Sequence, residues 1–388
     1  MLPWAAHRLG SLMIVACAAA LAITAVVSAG GVVAQPQPGP GAPVNDSCRE
    51  VTVSPPTTVL SAQRRRQLGL THWPDTQPGV LRLADGSYRF LASQGQGEGR
   101  NVQQQVITLG SLDATAHRAS TSTVAGVPTG HYQYVGVGQV YRDPATGEVL
   151  QTIHLERLLP GHRAHPYYTE IGLGRVDPTT YRTTFLGVVV QSALSDTGAT
   201  RAGFTVDLGT PSLVAPGDGY LYMYFGDFSA DGAGRPRATS LAAARTPVTD
   251  AITAAQAGTV TPWQKYVDGS WSSPGNGGAA TDLQPGQRAN WEPSAAYSPS
   301  GRTTLLVAPV SREEIRLSHT TSSGWSRQVT LWSDRGKFDA YPVIVGDGLD
   351  PAQPGRTFYV YYLQWQDSRT RDWTTAVQLR RTVTCHST

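Results

Sequence analysis

Five carboxylates stand at the ends of predicted β-strands, where residues from different hairpins can meet. They are Asp75, Glu156, Asp227, Glu292 and Asp339. Carboxylates gathered in one cleft suit hydrolysis of a glycosidic bond, because one acid protonates the leaving oxygen while a second carboxylate activates water or attacks the anomeric carbon. Like charges held close together raise one pKa and so produce the proton donor. The sequence therefore predicts acid/base chemistry at this group.

Other polar and aromatic residues lie beside these carboxylates in the sequence. His154 precedes Glu156 by two residues, so in a strand both side chains project from the same face. Aromatic rings near a carboxylate pair offer a stacking surface for a sugar, and Arg175 and Arg245 occupy similar points of two successive repeats. The further binding candidates are His72, Trp73, His154, Arg175, Asp227, Arg245, Trp291, Asp339 and Tyr341.

The elements that position these residues are β-hairpins. Five pairs of strand-like runs turn at Gly, Pro, Asp or Ser residues, which is typical of hairpin connections. They cover residues 79–92, 138–153, 211–225, 294–307 and 341–363. Arg142-Asp143-Pro144 begins the turn of the second hairpin, so we expect it at the end of the hairpin opposite to His154 and Glu156.

Weaker strand pairs lie between the hairpins, which gives five units of about four strands. No stretch after Pro43 keeps a helical period for three turns. We predict an all-β fold, a five-bladed β-propeller, with a two-domain β-sandwich as the alternative. In a propeller, residues before the first strand and after the second strand of each blade converge on one rim.

The two ends of the propeller can close on each other. Residues 48–53 can add a strand to the last blade beside residues 378–385. Cys48 and Cys385 are the two cysteines after the N-terminal apolar segment, and a bridge between them would lock this seam. Two unpaired thiols are the alternative.

The N-terminus is typical of an exported protein. Residues 12–27 are almost wholly apolar, and small residues follow at Ala29 and Ala34, so we expect a signal peptide over 1–34, cleaved near one of these alanines. An uncleaved anchor is the alternative. Residues 35–47 form a Pro/Gly-rich tether, and residues 48–388 form the propeller. We expect a secreted protein with no membrane span after cleavage.

Several segments resemble a known superfamily. The run 220–228 (YLYMYFGDF), the run 262–278 (PWQKYVDGSWSSPGNGG), and His154–Glu156 followed by 167–177 are similar to secreted actinobacterial proteins of the five-bladed furanosidase-like superfamily. That superfamily includes the family 43 and family 32 glycoside hydrolases. The resemblance implies an aspartate at the opening of the first blade as base and a later glutamate as acid.

These roles transfer to this chain with some departures. Asp75 takes the position of the base or nucleophile, although Thr76-Gln77 follow it where the family has Pro. Glu156 is the preferred acid, with Glu292 as the alternative. Asp227 or Asp339 then fills the place of a third, pKa-modulating carboxylate.

Composition limits the other classes of function. The chain carries 31 Lys+Arg and 28 Asp+Glu with scattered basic residues, so no nucleic-acid partner is indicated. We predict no cofactor, although 227–234 (DFSADGAG) resembles a calcium turn without the spaced ligands of one. The predicted partner is a glycan or polysaccharide, and the predicted state a monomer. A non-catalytic carbohydrate-binding or cell-surface propeller is the alternative function.

Overall fold

The structure, a computed structural model, describes residues 48–95, 104–159, 167–202, 206–228, 239–288 and 291–386. The proposed signal peptide and tether lie outside these residues, as do most residues of the candidate calcium turn. Within the described residues, no helix is long and apolar enough to cross a membrane.

The chain opens with two short strands and a helix, and then forms the first blade. The helix begins after Ser61, whose Oγ accepts a hydrogen bond from the Arg64 N–H at 3.1 Å. The elements are β1 (Glu50–Val53), β2 (Thr57–Leu60), α1 (Ala62–Gln67), and then β3 (Gly79–Arg82), β4 (Tyr88–Ser93), β5 (Gln104–Gly110) and β6 (Arg118–Thr123) of blade 1.

Four further antiparallel sheets follow, and each begins with one of the predicted hairpins. Blade 2 comprises β7 (Tyr134–Arg142), β8 (Val149–Leu158), β9 (Tyr167–Val176) and β10 (Thr183–Val190), followed by α2 (Asp196–Ala202). Blade 3 comprises β11 (Ser212–Val214), β12 (Tyr220–Asp227), β13 (Thr239–Pro247), α3 (Val248–Gln256), β14 (Gln264–Val267) and β15 (Ser270–Pro274). Blade 4 comprises β16 (Ser294–Ser298), β17 (Thr303–Ser311), β18 (Glu314–Thr321), β19 (Gly324–Trp325) and β20 (Val329–Ser333). Blade 5 comprises β21 (Phe338–Val345), β22 (Thr357–Trp365) and β23 (Val377–His386).

The five sheets form a closed ring, which confirms the five-bladed propeller. Residues of all five first strands line one narrow cavity on the axis, among them Gly79, Val140, Leu213, Ala295 and Val343. A separate apolar cluster fills each of the five interfaces between neighbouring blades.

Strand β12 illustrates why the sequence builds such a ring. Leu221, Met223 and Phe225 alternate with Tyr222 and Tyr224, and all five are buried. Alternate side chains of a strand point to opposite faces. The first set packs against blade 2 and the second against blade 4, so the strand carries apolar residues on both faces.

The ring closes where its ends were predicted to meet. Strands β1 and β2 pair with β23, the last strand of blade 5. Cys48 and Cys385 form a disulfide with their Cα atoms 4.6 Å apart and a sequence separation of 337. In the loop-entropy model, a bridge closing so long a loop stabilises the fold by about 5 kcal/mol at most.

Candidate active site

Each blade places a polar side chain at the same rim of the propeller. In blades 1, 3 and 4 the residue precedes the first strand, in blade 2 it ends the second strand, and in blade 5 it lies within the first strand. These residues are Asp75, His154 with Glu156, Asp207, Glu292 and Tyr341.

Tyr341 connects the two carboxyl groups of blades 1 and 4. Its hydroxyl donates to Oδ1 of Asp75 at 2.8 Å, and its backbone N–H donates to Oε2 of Glu292 at 3.1 Å. It lies at a β-bulge between Ala340 and Val343 and has φ +54°. A tyrosine rarely adopts this left-handed conformation, which costs energy and is found at functional sites. One residue thus fixes Asp75 and Glu292 relative to each other.

Asp75 is held by its backbone as well as by Tyr341. Its N–H donates to the Ser93 carbonyl at 2.9 Å, and its carbonyl accepts the hydroxyl proton of Tyr134 at 2.8 Å. Gly95 lies so close that an added Cβ would stand 2.3 Å from Asp75 Oδ2. Burial, reinforced by the charge of Glu156, raises the pKa of Asp75 to about 6, although the Tyr341 hydrogen bond opposes this rise.

Glu292 has the properties of a proton donor. Burial raises its pKa to about 7, with smaller contributions from the charges of Asp207 and Asp75. The Tyr341 N–H and the charge of Arg371 act in the opposite direction. Glu292 also has a left-handed backbone, with φ +49°. A half-buried glutamic acid with this pKa still carries its proton in a large fraction of molecules near neutrality.

A buried arginine binds the loop that precedes Asp75. Arg65 is fully buried, and its guanidinium donates to the carbonyls of Thr71 and Trp73 and to that of Trp373 in blade 5. Burial lowers its pKa to about 10. Arg65 therefore links the loop that precedes Asp75 to blade 5.

Asp207 is a site residue that the sequence analysis missed. It precedes the first strand of blade 3, as Asp75 and Glu292 precede theirs, and its Oδ1 accepts the Gly209 N–H at 2.9 Å. Burial raises its pKa, which the charge of His154 opposes. The position before a first strand was the available signal, and it was the same as for Asp75, which three residues also separate from its hairpin.

Gly209 occupies a position that only glycine fills easily. Its φ is +63°, and an added Cβ would lie 3.5 Å from the Gly226 nitrogen and 3.8 Å from the Glu292 nitrogen. Its carbonyl also lies 3.1 Å from His154 Nδ1. Gly209 thus permits the left-handed turn that brings its carbonyl in blade 3 to His154 in blade 2.

His154 and Glu156 lie together on the rim, as their spacing predicted. His154 Nε2 is 3.2 Å from Glu156 Oε1, and the Glu156 side chain is 33% exposed. Burial lowers the pKa of His154, but the hydrogen bond and charge of Glu156, with the charge of Asp207, outweigh it and raise the pKa. Glu156 therefore has an imidazole partner, whereas Glu292 is bound by a backbone N–H.

Four predicted site residues lie elsewhere, and the structure corrects their placement. Trp73 is fully buried in the core between blades 1 and 5, so its ring cannot stack on a sugar. Asp339 is fully buried and accepts hydrogen bonds from Trp332 Nε1 and Gln364 Nε2, both at 2.9 Å. Its side chain thus forms hydrogen bonds in the interior between blades 4 and 5 and does not face the rim.

Arg175 and Arg245 lie at the opposite end of their blades. Third strands run away from the rim, and both arginines are near the far ends of such strands. Arg175 Nε bonds Glu148 at 2.6 Å, and the guanidinium of Arg245 stacks 3.9 Å from the Tyr220 ring. The turn at Asp143 is at this end too, where its Oδ2 accepts the Thr146 N–H at 2.9 Å, as predicted.

The remaining candidates border the site. Asp227 is the buried last residue of β12, and its charge acts on Asp207. His72 is half-buried, with its ring 5.4 Å from that of Trp373. Trp291 precedes Glu292 and is 41% exposed. Within the described residues, no group of three or more His, Cys, Asp or Glu side chains is arranged to hold a metal ion.

The similarity of this chain to known proteins is structural. No protein-family model matches the sequence, and no curated protein matches it significantly. The α-L-arabinofuranosidase PaAbf62A of Podospora anserina, solved with cellotriose, superposes with a TM-score of 0.53 at 12% identity, covering 89% of this chain and 99% of that one. A GH62 α-L-arabinofuranosidase catalytic domain of Coprinopsis cinerea gives 0.52 at 12% identity over 88% and 98%. An α-L-arabinofuranosidase of Lactobacillus brevis gives 0.50 at 11% identity over 79% and 90%. The chain thus shares the five-bladed propeller fold of these glycoside hydrolases.

Proposed function

We propose that the protein is a glycoside hydrolase in which Glu292 is the general acid and Asp75 the general base. The observation that carries this proposal is the Tyr341 bridge, which binds both carboxyl groups from one residue. Burial raises the pKa of Glu292 to about 7 and that of Asp75 to about 6. With both pKa values near neutrality, one group can carry the proton while the other is ionised, and we assign the base to the aspartate that precedes the first blade.

The two groups divide the reaction between them. Glu292 transfers its proton to the glycosidic oxygen as the bond between that oxygen and the anomeric carbon breaks. Asp75 takes a proton from the water that attacks the anomeric carbon, so both carboxyl groups have exchanged protonation states at the end. If Asp75 attacks the carbon directly instead, the product keeps the configuration of the substrate, which NMR of the fresh product distinguishes.

Asp207 and the pair of His154 with Glu156 support this chemistry from the side of blades 2 and 3. The charge of Asp207 favours the protonated form of Glu292, and the charge of Glu156 favours that of Asp75. Glu292 thus replaces Glu156 as the proposed acid. Glu156, partly exposed and hydrogen-bonded to His154, is placed to accept a hydrogen bond from a sugar hydroxyl.

The charge of the site points to a neutral glycan. Four carboxyl groups converge there, and the cations that act on them are His154 and Arg371. An excess of negative charge repels uronic and sialic acids. Because the structurally similar proteins named above are arabinofuranosidases, pentofuranosides are the first substrates to test.

We further propose that the protein acts outside the cell as a single propeller over 48–388. The disulfide between Cys48 and Cys385 fits an oxidising compartment. Export would remove 1–34 and leave 35–47 as a tether.

The test is a screen of arabinan, arabinoxylan, other neutral polysaccharides and aryl glycosides with the wild type and the variants D75N, E292Q and E156Q. We expect sugar release by the wild type, near-complete loss in D75N and E292Q, and a smaller loss in E156Q. Binding of a glycan by the wild type without release of sugar would reject hydrolysis in favour of a non-catalytic binding protein. Turnover that survives both D75N and E292Q would reject the assigned pair.

A further inference from the structure

Trp291 stands apart from the other aromatic residues of the site. It is 41% exposed and is the only aromatic side chain among the exposed large apolar residues of the described chain. Tyr341 and Trp365 are buried, and Trp373 is half-buried between His72 and Trp365. A large ring costs free energy when it is left in water, so a ligand that covers it gains that burial.

A second ring supports Trp291 from the side. The Phe228 ring meets Trp291 edge to face, with centroids 6.3 Å apart and an interplanar angle of 85°. The Trp291 N–H donates to the Pro309 carbonyl at 3.0 Å, and the Phe228 N–H donates to the Asp207 carbonyl at 2.8 Å. The backbones of both residues are held by these hydrogen bonds, and the Phe228 ring limits the positions that the indole can take before a ligand arrives.

Trp291 and Phe228 both lie on one side of the site. Trp291 is adjacent to Glu292 in the sequence, and the backbone N–H of Phe228 donates a hydrogen bond to the carbonyl of Asp207. Both rings therefore belong to the blade 3 and blade 4 side of the site. Asp75 lies on the blade 1 and blade 5 side, where it accepts the hydroxyl proton of Tyr341.

We infer that Trp291, supported by Phe228, stacks against the sugar ring on the leaving-group side of the scissile bond. The inference rests on the proposed function, since it uses Glu292 as the acid. The acid must reach the glycosidic oxygen, and that oxygen departs with the leaving sugar. The sugar attached to it therefore lies beside the residues that flank Glu292. The glycan then crosses the rim with its cleaved sugar toward Asp75 and its leaving chain over Trp291.

This arrangement predicts a preference for substrates with a sugar in the leaving position. The test compares arabinotriose, or the trisaccharide that the glycan screen identifies, with the glycosyl azide of the same sugar. Azide is small, has no ring to stack and departs without a proton from Glu292. The variants are W291A, which removes the ring, W291F, which keeps one, and F228L, which keeps an apolar side chain beside it.

We expect kcat/KM of W291A for the trisaccharide to fall roughly fivefold, because an aromatic contact contributes about 1 kcal/mol. For the azide, kcat/KM should change less than about twofold, W291F should recover most of the loss, and F228L should lie between. Unchanged thermal melting of W291A shows that folding is intact.

Three other results overturn the inference. If W291A loses equal activity on both substrates, or none on the trisaccharide, Trp291 does not contact the leaving sugar, although the wild type remains a hydrolase. If the wild type cleaves neither the trisaccharide, the azide nor any screened glycan, the proposed function fails, and the inference that rests on it fails too.

Discussion

Three carboxyls in this propeller have similarly raised pKa values, but two lie at the rim and one lies in the interior, in very different surroundings. At the rim, Asp75 and Glu292 share Tyr341. Inside blades 4 and 5, burial raises the pKa of Asp339 to about 7, and its two oxygens accept hydrogen bonds from Trp332 Nε1 and Gln364 Nε2. A pKa near neutrality is thus not by itself the mark of a catalytic acid.

The difference lies in access and in bonding partners. Asp339 is completely buried, with neutral donors on both oxygens, and the same Gln364 Nε2 also lies 2.9 Å from Asp334 Oδ2. Asp334 in turn pairs with Arg381 at 2.8 Å. Asp75 and Glu292 are half-buried, and each has one of its oxygens bound by Tyr341. A catalytic carboxyl needs a face open to substrate, whereas Asp339 stabilises the interior.

The largest expected difference is in turnover. D75N and E292Q should each lower kcat/KM for the glycan by roughly 10³-fold, because a positioned acid or base contributes 10²- to 10⁴-fold. D339N, which changes a carboxyl of similar pKa, should lower it less than about threefold when assayed well below its melting temperature. Steady-state kinetics on matched preparations measures this. A D339N protein that is folded but as inactive as E292Q would refute the distinction.

The second expected difference is in stability, and it runs in the opposite order. An asparagine at position 339 can accept only one of the two donors well, so D339N should lower the free energy of unfolding by about 1–3 kcal/mol. D75N should leave it nearly unchanged, since an amide oxygen still accepts the Tyr341 hydroxyl proton. Urea unfolding of the two variants beside the wild type measures the difference. Equal losses would mean that Asp75 is also a structural carboxyl.

The third difference concerns Tyr341. The variant Y341F removes the hydroxyl that favours ionised Asp75, so the pKa of Asp75 should rise and the acid limb of kcat/KM should move to higher pH. The alkaline limb, set by Glu292 with a pKa of about 7, should move little because the backbone N–H remains. A pH profile of kcat/KM on the glycan tests this. If the acid limb does not move, Asp75 is not the group that sets it.

The smallest expected effect is a pH dependence of stability. In Asp75, Glu292 and Asp339 the folded-state pKa is above the usual value, so the folded protein binds more protons between about pH 4 and pH 7. The stability that these three groups contribute is therefore greatest when the pH is below their pKa in the unfolded chain. It is lost as the pH rises through their pKa in the folded protein. D339N should reduce this loss. Melting temperatures of the variant and the wild type across this range measure it.

The sequence predicted the architecture well because turns and alternation are local. Gly86 lies in the turn of the first hairpin with φ +84°, and β12 buries both of its faces. The rule for residues at strand ends found Asp75, Glu156 and Glu292. It applied equally to Asp207, which precedes β11 by a short loop as Asp75 precedes β3, but in blade 3 the prediction chose Asp227 instead.

The errors have identifiable physical causes. Asp339 and Tyr341 are both in β21, where the bulge after Ala340 and the positive φ of Tyr341 decide which side chain faces the site. Neither feature can be read from the sequence. Arg175 and Arg245 were placed without regard to the direction of third strands, which end at the far side of each blade. Trp73 looked like a sugar platform, but its depth depends on packing between blades 1 and 5.

The most direct test of the assigned pair compares two substrates that differ in their need for a general acid. The substrates are an unactivated glycan and a 2,4-dinitrophenyl glycoside of the same sugar, assayed with the wild type, D75N, E292Q and E156Q. A dinitrophenolate departs without a proton, so E292Q should lose roughly 10³-fold on the glycan but less than about tenfold on the activated substrate. D75N should lose both activities. If E156Q shows the selective loss and E292Q does not, Glu156 is the acid and the account given for Glu292 is wrong.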